Sequence, residues 1–479
     1  MSSWRSISGI RLGFTTGYKG GEGCHVRLKK TDLSGGSVTS TLLLFALPMI
    51  AGNFLQQLYN IADTLIVGRV LGPDALAAVG SAYTLMTFLN SILIGMCMGG
   101  GALFSYYYGK NDIAGMKQRM RTAFLFAGFF ALLISALALL FCDGLLILLA
   151  VPVEVRAMMR EYVMIIFVGI FFVFLYHYYA FVLRALGNSV VPLVFLGAAS
   201  VLNIGLDCLF VMTFQRGIRG AAEATLIAQV LSGIGIAFYT WKKEKRLRFM
   251  QAGMRTDLKL LKEVAGFLTA ASVQQSVMNF GILMIQGLVN SFGKAVMAAF
   301  AAAVKIDTLA YMPAQEFGNA FSLFVSQNYG ADRKDRIREG FSRAVRVCMA
   351  FCLIVSVFVC AAAHPLMRVF VKAEETKIIA IGVDYLRIEG ACYCGIGLLF
   401  LLYGYFRGVN RPKMSLWLTV VSLGTRVALA YLLAPIEAVG VYGIWAAIPI
   451  GWVLADGIGL FTMKKHERRW KEIGADGER

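Results

Sequence analysis

The chain has 479 residues, 58% of them hydrophobic and 15% charged, with a mean hydropathy of +0.68. Soluble domains carry about 25% charged and about 45–50% apolar residues, so this composition excludes a soluble globular core and indicates a membrane protein. The formal net charge of +18 falls in short segments between apolar runs, which points to loop retention by the positive-inside rule and away from a nucleic-acid partner. Residues 1–40 are rich in Gly and Ser and lack the apolar stretch and cleavage site of a secretory signal, so they read as a flexible cytoplasmic leader. Apolar runs long enough to cross a hydrocarbon core of about 30 Å then recur at 41–68, 75–108, 122–141, 158–183, 190–213, 221–241, 258–291, 295–329, 345–363, 383–406, 414–434 and 441–462.

These twelve spans divide the chain into an N-terminal lobe at 41–241, a basic linker at 242–257, a C-terminal lobe at 258–463 and a tail at 464–479. With the N-terminus inside, the inner segments hold 34 Lys and Arg residues and the outer segments nine. That bias places both termini in the cytoplasm of a multi-pass cell inner-membrane protein. Only Lys305, Arg387 and Arg426 belong to neither set and lie within spans, and Lys305 with Asp307 is expected to be a local neutralising pair. Nine scattered cysteines and four histidines show no ligand spacing, so neither a metal nor a cofactor is expected. No acyl-transfer motif or nucleotide loop is visible, which argues against an enzyme and against an ATP-driven pump on this chain.

The two halves repeat. At an offset of 221, Gly101–Asp112 at the end of span 2 lies over Ser322–Asp332 at the end of span 8, and Leu71-Gly72 lies over Phe292-Gly293. At an offset of 223, Arg184-Ala-Leu-Gly lies over Arg407-Gly-Val-Asn, each followed by a proline and the next span. Six spans is an even number, so both halves begin on the same side. The expected fold is an all-α membrane protein with two pseudo-symmetric six-helix bundles, a substrate cavity between them, and alternating access.

Charged groups inside spans are costly and need a reason. Span 1 carries Asn53, Gln56, Gln57, Asn60 and Asp63, whose steps of three and four place one polar stripe on one helical face. Interhelical hydrogen bonding accounts for the amides but poorly for a carboxylate. Asn203 and Asp207 share a face of span 5, and Glu223 and Thr225 lie at the outer end of span 6, Glu223 within reach of Arg219. An aspartate pair with amide and hydroxyl oxygens suits a proton relay or Na⁺, and the residues alone do not separate the two ions. Asp63, Asn203, Asp207 and Thr225 are therefore candidates for cation coupling. Gln57, Asn60, His177, Tyr178 and Glu316 are candidates for the cavity wall, Glu316 because it follows Pro313 in span 8. At the repeat offsets Asp63 becomes Met284, Asn203 becomes Arg426 and Asp207 becomes Ala430, so coupling is expected in the N-terminal half.

Pro48 to Gly80, with Gln-Gln-Leu-Tyr-Asn-Ile-Ala-Asp-Thr-Leu-Ile-Val-Gly-Arg, resembles the first span of the multidrug and toxic compound extrusion (MATE) family. So do Arg184-Ala-Leu-Gly-Asn-Ser, Leu202-Asn-Ile-Gly-Leu-Asp, Phe317-Gly-Asn-Ala-Phe-Ser, Gln327-Asn-Tyr-Gly-Ala and Phe406-Arg-Gly-Val-Asn-Arg-Pro-Lys, in order over about residues 38–465. The resemblance implies a V-shaped central cavity and export of small organic cations and drugs by antiport with H⁺ or Na⁺, from a monomer needing no obligate protein partner. It also implies an N-lobe cation site at Asp63, Asn203, Asp207 and Thr225. The Na⁺-dependent branch adds a Glu in span 7 and an Asp in span 10. This sequence has Gln274 and Gln275, and Ala391 and Cys392, in those neighbourhoods, which puts a second-lobe site in doubt. A lipid-linked oligosaccharide flippase of the same superfamily is the alternative.

Overall fold

The computed structural model describes residues 30–148, 151–245 and 257–476. Hydrocarbon offers the backbone no hydrogen-bond partner, so each span closes its own bonds as a helix. The N-terminal half comprises α1 (Val38–Leu71), α2 (Pro73–Gly109), α3 (Ile113–Leu140), α4 (Cys142–Leu148), α5 (Val153–Ala185), α6 (Val190–Asp207) and α7 (Gly217–Lys243). The C-terminal half comprises α8 (Leu258–Asn290), α9 (Lys294–Gly330), α10 (Lys334–Ala361), α11 (Ala363–Phe370), α12 (Thr376–Gly390), α13 (Tyr393–Gly408), α14 (Pro412–Leu433) and α15 (Val441–Asp476). Eleven of the described helices are long and apolar enough to cross a membrane, and α12 with α13, bent by 51°, makes a twelfth span.

The backbone carries the repeat as plainly as the side chains. Left-handed φ values occur at Gly72 (89°) and Gly293 (95°), at Asn111 (60°) and Asp332 (54°), at Gly187 (78°) and Asn410 (60°), and at Gly217 (61°) and Gly440 (51°). Each pair is separated by one of the two offsets found in the sequence. Asn replaces Gly at 410 because its side chain tolerates this region best among residues with a Cβ.

Three boundaries differ from the sequence reading. The tenth span breaks at 391–392, where α12 stops and α13 begins. The short helices α4 and α11 follow α3 and α10 and are too brief to show a helical period. The segment 464–476 continues α15 as helix, so the C-terminal tail is helical nearly to its end.

Part of the leader is structured. Residues 1–29 and most of the linker lie outside the described residues, but 30–37 form a strap across one end of the bundle. Lys30 pairs with Glu244 at 2.7 Å, and the Thr31 amide donates to the Gly187 carbonyl at 2.9 Å. Leu33 is fully buried, and its carbonyl accepts from Asn328 at 3.0 Å. Arg333 donates to the Ser34 carbonyl at 2.7 Å, and Arg336 donates to the carbonyls of Gly35 and Gly36. The strap therefore ties the N-terminal half (Gly187, Glu244) to α9 and α10.

At the same end α2 and α9 cross backbone to backbone. A Cβ on Gly109 would overlap the Gln327 carbonyl, and one on Gly330 would overlap that of Tyr106. Lipid supplies no hydrophobic drive between helices, so close packing at small residues carries such contacts. Ser105 adds a bond to the Leu323 carbonyl at 3.0 Å, and Gln327 one to the Ala185 carbonyl at 2.7 Å.

The halves also exchange their first turns. Val38, Leu42, Phe45, Ala46 and Met49 of α1 belong to the apolar core of the C-terminal half, with Phe321 and Phe324 of α9. Val264, Leu268 and Ala271 of α8 belong to the core of the N-terminal half. The swap is reciprocal, as the pseudo-twofold axis requires.

Candidate functional site: a polar cavity between the lobes

A cavity of about 380 Å³ lies between the halves, walled by α1, α2, α5, α6, α7, α8 and α9. Its lining is rich in amides, among them Asn53, Gln57, Asn60, Asn90 and Gln275. The stripe on α1 faces it along its length, because steps of three and four residues keep one face of a helix aligned. Asn60 donates to the Gln57 carbonyl oxygen at 3.3 Å, and Thr64 donates to the Asn60 backbone carbonyl at 2.7 Å.

The stripe ends at Asp63, which is 8% exposed. Asn203 (2% exposed) and Asp207 (fully buried) stand one turn apart on α6, and Asn203 donates to the Thr225 hydroxyl on α7 at 3.3 Å. Asp63, Asn203 and Thr225 line the cavity, and Asp207 sits behind them in electrostatic contact with Asp63. Four oxygens here have no hydrogen-bond partner: one each of Asp63 and Asn203 and both of Asp207. Buried carboxylate oxygens without donors are costly and call for a cation. The four residues singled out in the sequence thus converge on one pocket.

Tyr59 and Tyr162 also line the cavity beside these acids, and the sequence reading did not pick them out. Nothing in a sequence separates a wall tyrosine from a packing one. The π-helical turn at Cys208–Thr213, directly after Asp207, was equally hidden. Such turns gather at functional sites because they re-aim side chains within a helix.

Glu316 reaches the cavity from α9. It accepts from Asn53 of α1 at 3.1 Å and from Asn319 at 3.2 Å, and Asn319 in turn accepts from Arg407 at 3.1 Å. A continuous polar chain thus links α1 to α13. Arg184 lines the cavity too, with its Nε buried and unpartnered. His177 is on the wall, its ring edge-on to Tyr176 at 5.2 Å. Tyr178 is not on the wall. Consecutive helical residues diverge by about 100°, so it points away and donates to the Met120 carbonyl at 2.7 Å, among the rings of Phe104 and Phe174. Glu223 pairs with Arg216 at 2.8 Å and with Arg219 at 3.1 Å, outside the cation pocket.

The expected Lys305–Asp307 pair does not form. Lys305 is exposed and Asp307 is 4% exposed, because positions two apart on a helix face nearly opposite ways.

The sequence profile of the MatE family matches residues 48–209 and again 270–432, once in each half. The chain belongs to the MatE family. Among curated relatives of this MatE chain is the probable multidrug resistance protein YpnP of Bacillus subtilis, 30% identical over 396 residues, 82% of this chain and 88% of the relative. Another is an FAD transporter of Shewanella oneidensis, 23% identical over 87% of this chain and 92% of that protein. Among solved structures, that of a MOP superfamily transporter from Pyrococcus furiosus shares the MatE fold with a TM-score of 0.85 at 23% identity. It covers 91% of this chain and 98% of that one. The chain is therefore a multi-span MATE membrane transporter, with two similar halves about a central cavity.

Proposed function

We propose that this transporter exports small organic cations and drugs by antiport with H⁺ or Na⁺, alternating access between its lobes in the cell inner membrane. The observation that carries the reading is the cation pocket beside the cavity, where Asp63, Asn203 and Thr225 line the wall, Asp207 lies behind them, and four oxygens of Asp63, Asn203 and Asp207 have no partner. A cation in that pocket and a cationic substrate in the cavity compete for the same negative charge, which is the electrostatic basis of exchange. In the orientation that the basic segments favour, the strap and the α2–α9 crossing lie on the cytoplasmic side and close the cavity there. A monomer suffices, since one chain holds both lobes and the whole cavity.

The test is transport in proteoliposomes with H⁺ and Na⁺ gradients imposed independently and ethidium as probe. Wild type moves ethidium against one of the gradients, and Asp63→Asn loses that coupling while remaining folded in the membrane. Full gradient-driven transport by Asp63→Asn sinks the assignment. The flippase alternative has one observation in its favour, the unpartnered Arg184 Nε in the cavity wall, which would suit a phosphate-bearing substrate. Translocation of lipid-linked sugar with no ethidium movement under either gradient would decide for it.

A further inference from the structure

A second cavity, of about 70 Å³, lies within the C-terminal lobe and is lined by Asp307 of α9, Glu389 of α12 and Arg426 of α14. It is large enough for a few waters. Asp307 is 4%, Glu389 1% and Arg426 9% exposed. Each has a side-chain atom facing no partner: Asp307 Oδ1, Glu389 Oε2 and Arg426 Nε. We propose that this cluster is a second proton site, in which the carboxyl groups of Asp307 and Glu389 take up and release one proton beside the Arg426 guanidinium.

The argument begins with charge. Two carboxylates and one guanidinium leave one negative charge uncompensated, and an uncompensated charge on groups this buried counts strongly against the folded state. One proton on the carboxyl pair removes it, and the two acids then titrate as a unit. Among the described residues no other basic side chain lines the cavity. Lys305 and Arg387 are exposed, on other faces of α9 and α12. The remaining titratable groups that face the pair are neutral donors: Tyr311 on α9, Tyr385 on α12, Tyr403 on α13 and Tyr393 with Cys392 at the break. On α10, Cys360 contacts the Arg387 carbonyl. On α15 the lining residue is Trp452, and Asp456, one turn beyond, faces Gly395. The guanidinium already fills the place of a metal cation, which favours a proton over Na⁺.

Position supports the same assignment. At the repeat offsets Asp307, Glu389 and Arg426 correspond to Met86, Ile166 and Asn203, all of which line the central cavity beside the N-lobe pocket. Each lobe therefore has a polar pocket in the same place, with its acids on different helices: α1 and α6 in one, α9 and α12 in the other. The sequence comparison missed this because it looked for the N-lobe residues at their own offsets. Glu389 lies in the last turn of α12, directly before the 51° bend, and Asp307 lies six residues before Pro313 on α9. Charge at this site is thus felt next to the α12–α13 bend and within two turns of the proline inside α9.

The test needs no transport and so stands apart from the N-lobe reading. Infrared difference spectra between acidic and alkaline buffer are recorded on protein in lipid vesicles, in an Asp63→Asn/Asp207→Asn background that silences the first pocket. A protonated-carboxyl C=O band, present in acid and lost as the buffer turns alkaline, is expected to remain. Adding Glu389→Gln, or independently Asp307→Asn, should remove one carboxyl's intensity, because the remaining acid then pairs with Arg426. Arg426→Gln should instead keep the band into more alkaline buffer. Size-exclusion profiles establish that each variant is folded, and either acid variant suffices. An unchanged band in both folded acid variants overturns the proposal. A band abolished by Na⁺ at constant pH overturns it in favour of a sodium site.

Discussion

Gly109 and Gly330 each approach a carbonyl of the facing helix so closely that a methyl group has no room. Gly109→Ala must push α2 and α9 apart at the end where the strap closes, at a cost of about 1–3 kcal/mol for overpacking. The expected outcome is a lower midpoint for thermal unfolding in detergent, whereas Gly80→Ala, where a Cβ meets open space, leaves it unchanged. Equal midpoints for the two variants would show that the crossing is not tightly packed. At this scale the sequence was informative wherever spacing decided the matter. Asp63, Asn203 and Asp207 were found by helical period. Tyr178 was misplaced and Glu389 overlooked because neither follows a period: one was chosen with His177 for its nearness to Arg184 in the chain, the other lay in a segment with no polar stripe.

Among the elements, the strap at 30–37 holds the N-terminal half through Lys30 and Thr31 and the C-terminal half through carbonyls that accept from Asn328, Arg333 and Arg336. Such bonds contribute about 1 kcal/mol each when partly solvated, so losing the three made by Asn328 and Arg336 shifts a two-state ratio by about a hundredfold. Asn328→Ala/Arg336→Ala is expected to open this end of the bundle. Spin labels at Lys117→Cys and Arg343→Cys, in a background without native cysteines, should then show a longer distance population by electron-electron resonance. An unchanged distance distribution would mean the strap rides on the closed state without stabilising it. The strap was illegible in the sequence for a physical reason. It is held mainly by its own backbone carbonyls, which every residue has, and its composition of Asp, Ser and Gly is that of a loop. The bend between α12 and α13 was hidden likewise, since Ala391 and Cys392 are ordinary helix residues.

Across the whole molecule, the exchange of first turns makes each half incomplete alone. Halves cut within 246–256 and expressed together are expected to co-purify as one complex, while the N-terminal half alone, lacking the core that receives Phe45 and Met49, should aggregate on extraction. A monodisperse isolated N-terminal half would contradict that account. The twelve spans, their order and the repeat were all legible, because hydrocarbon thickness and backbone satisfaction leave a spanning sequence few choices. The exchange was not, because an apolar helix face facing lipid and one facing a partner lobe are written in the same residues.

That exchange also sets a clock on biosynthesis. The first turns of α1 find their final neighbours only on α9 and α10, some hundreds of residues later in the chain. At about 5–20 residues per second, α1 waits for about 10–50 s after it is made before its partners emerge from the ribosome. During that interval its Leu42–Phe45–Met49 face must be sheltered by lipid or by the insertion machinery, and the N-terminal lobe completes its packing only after α9 and α10 have been translated.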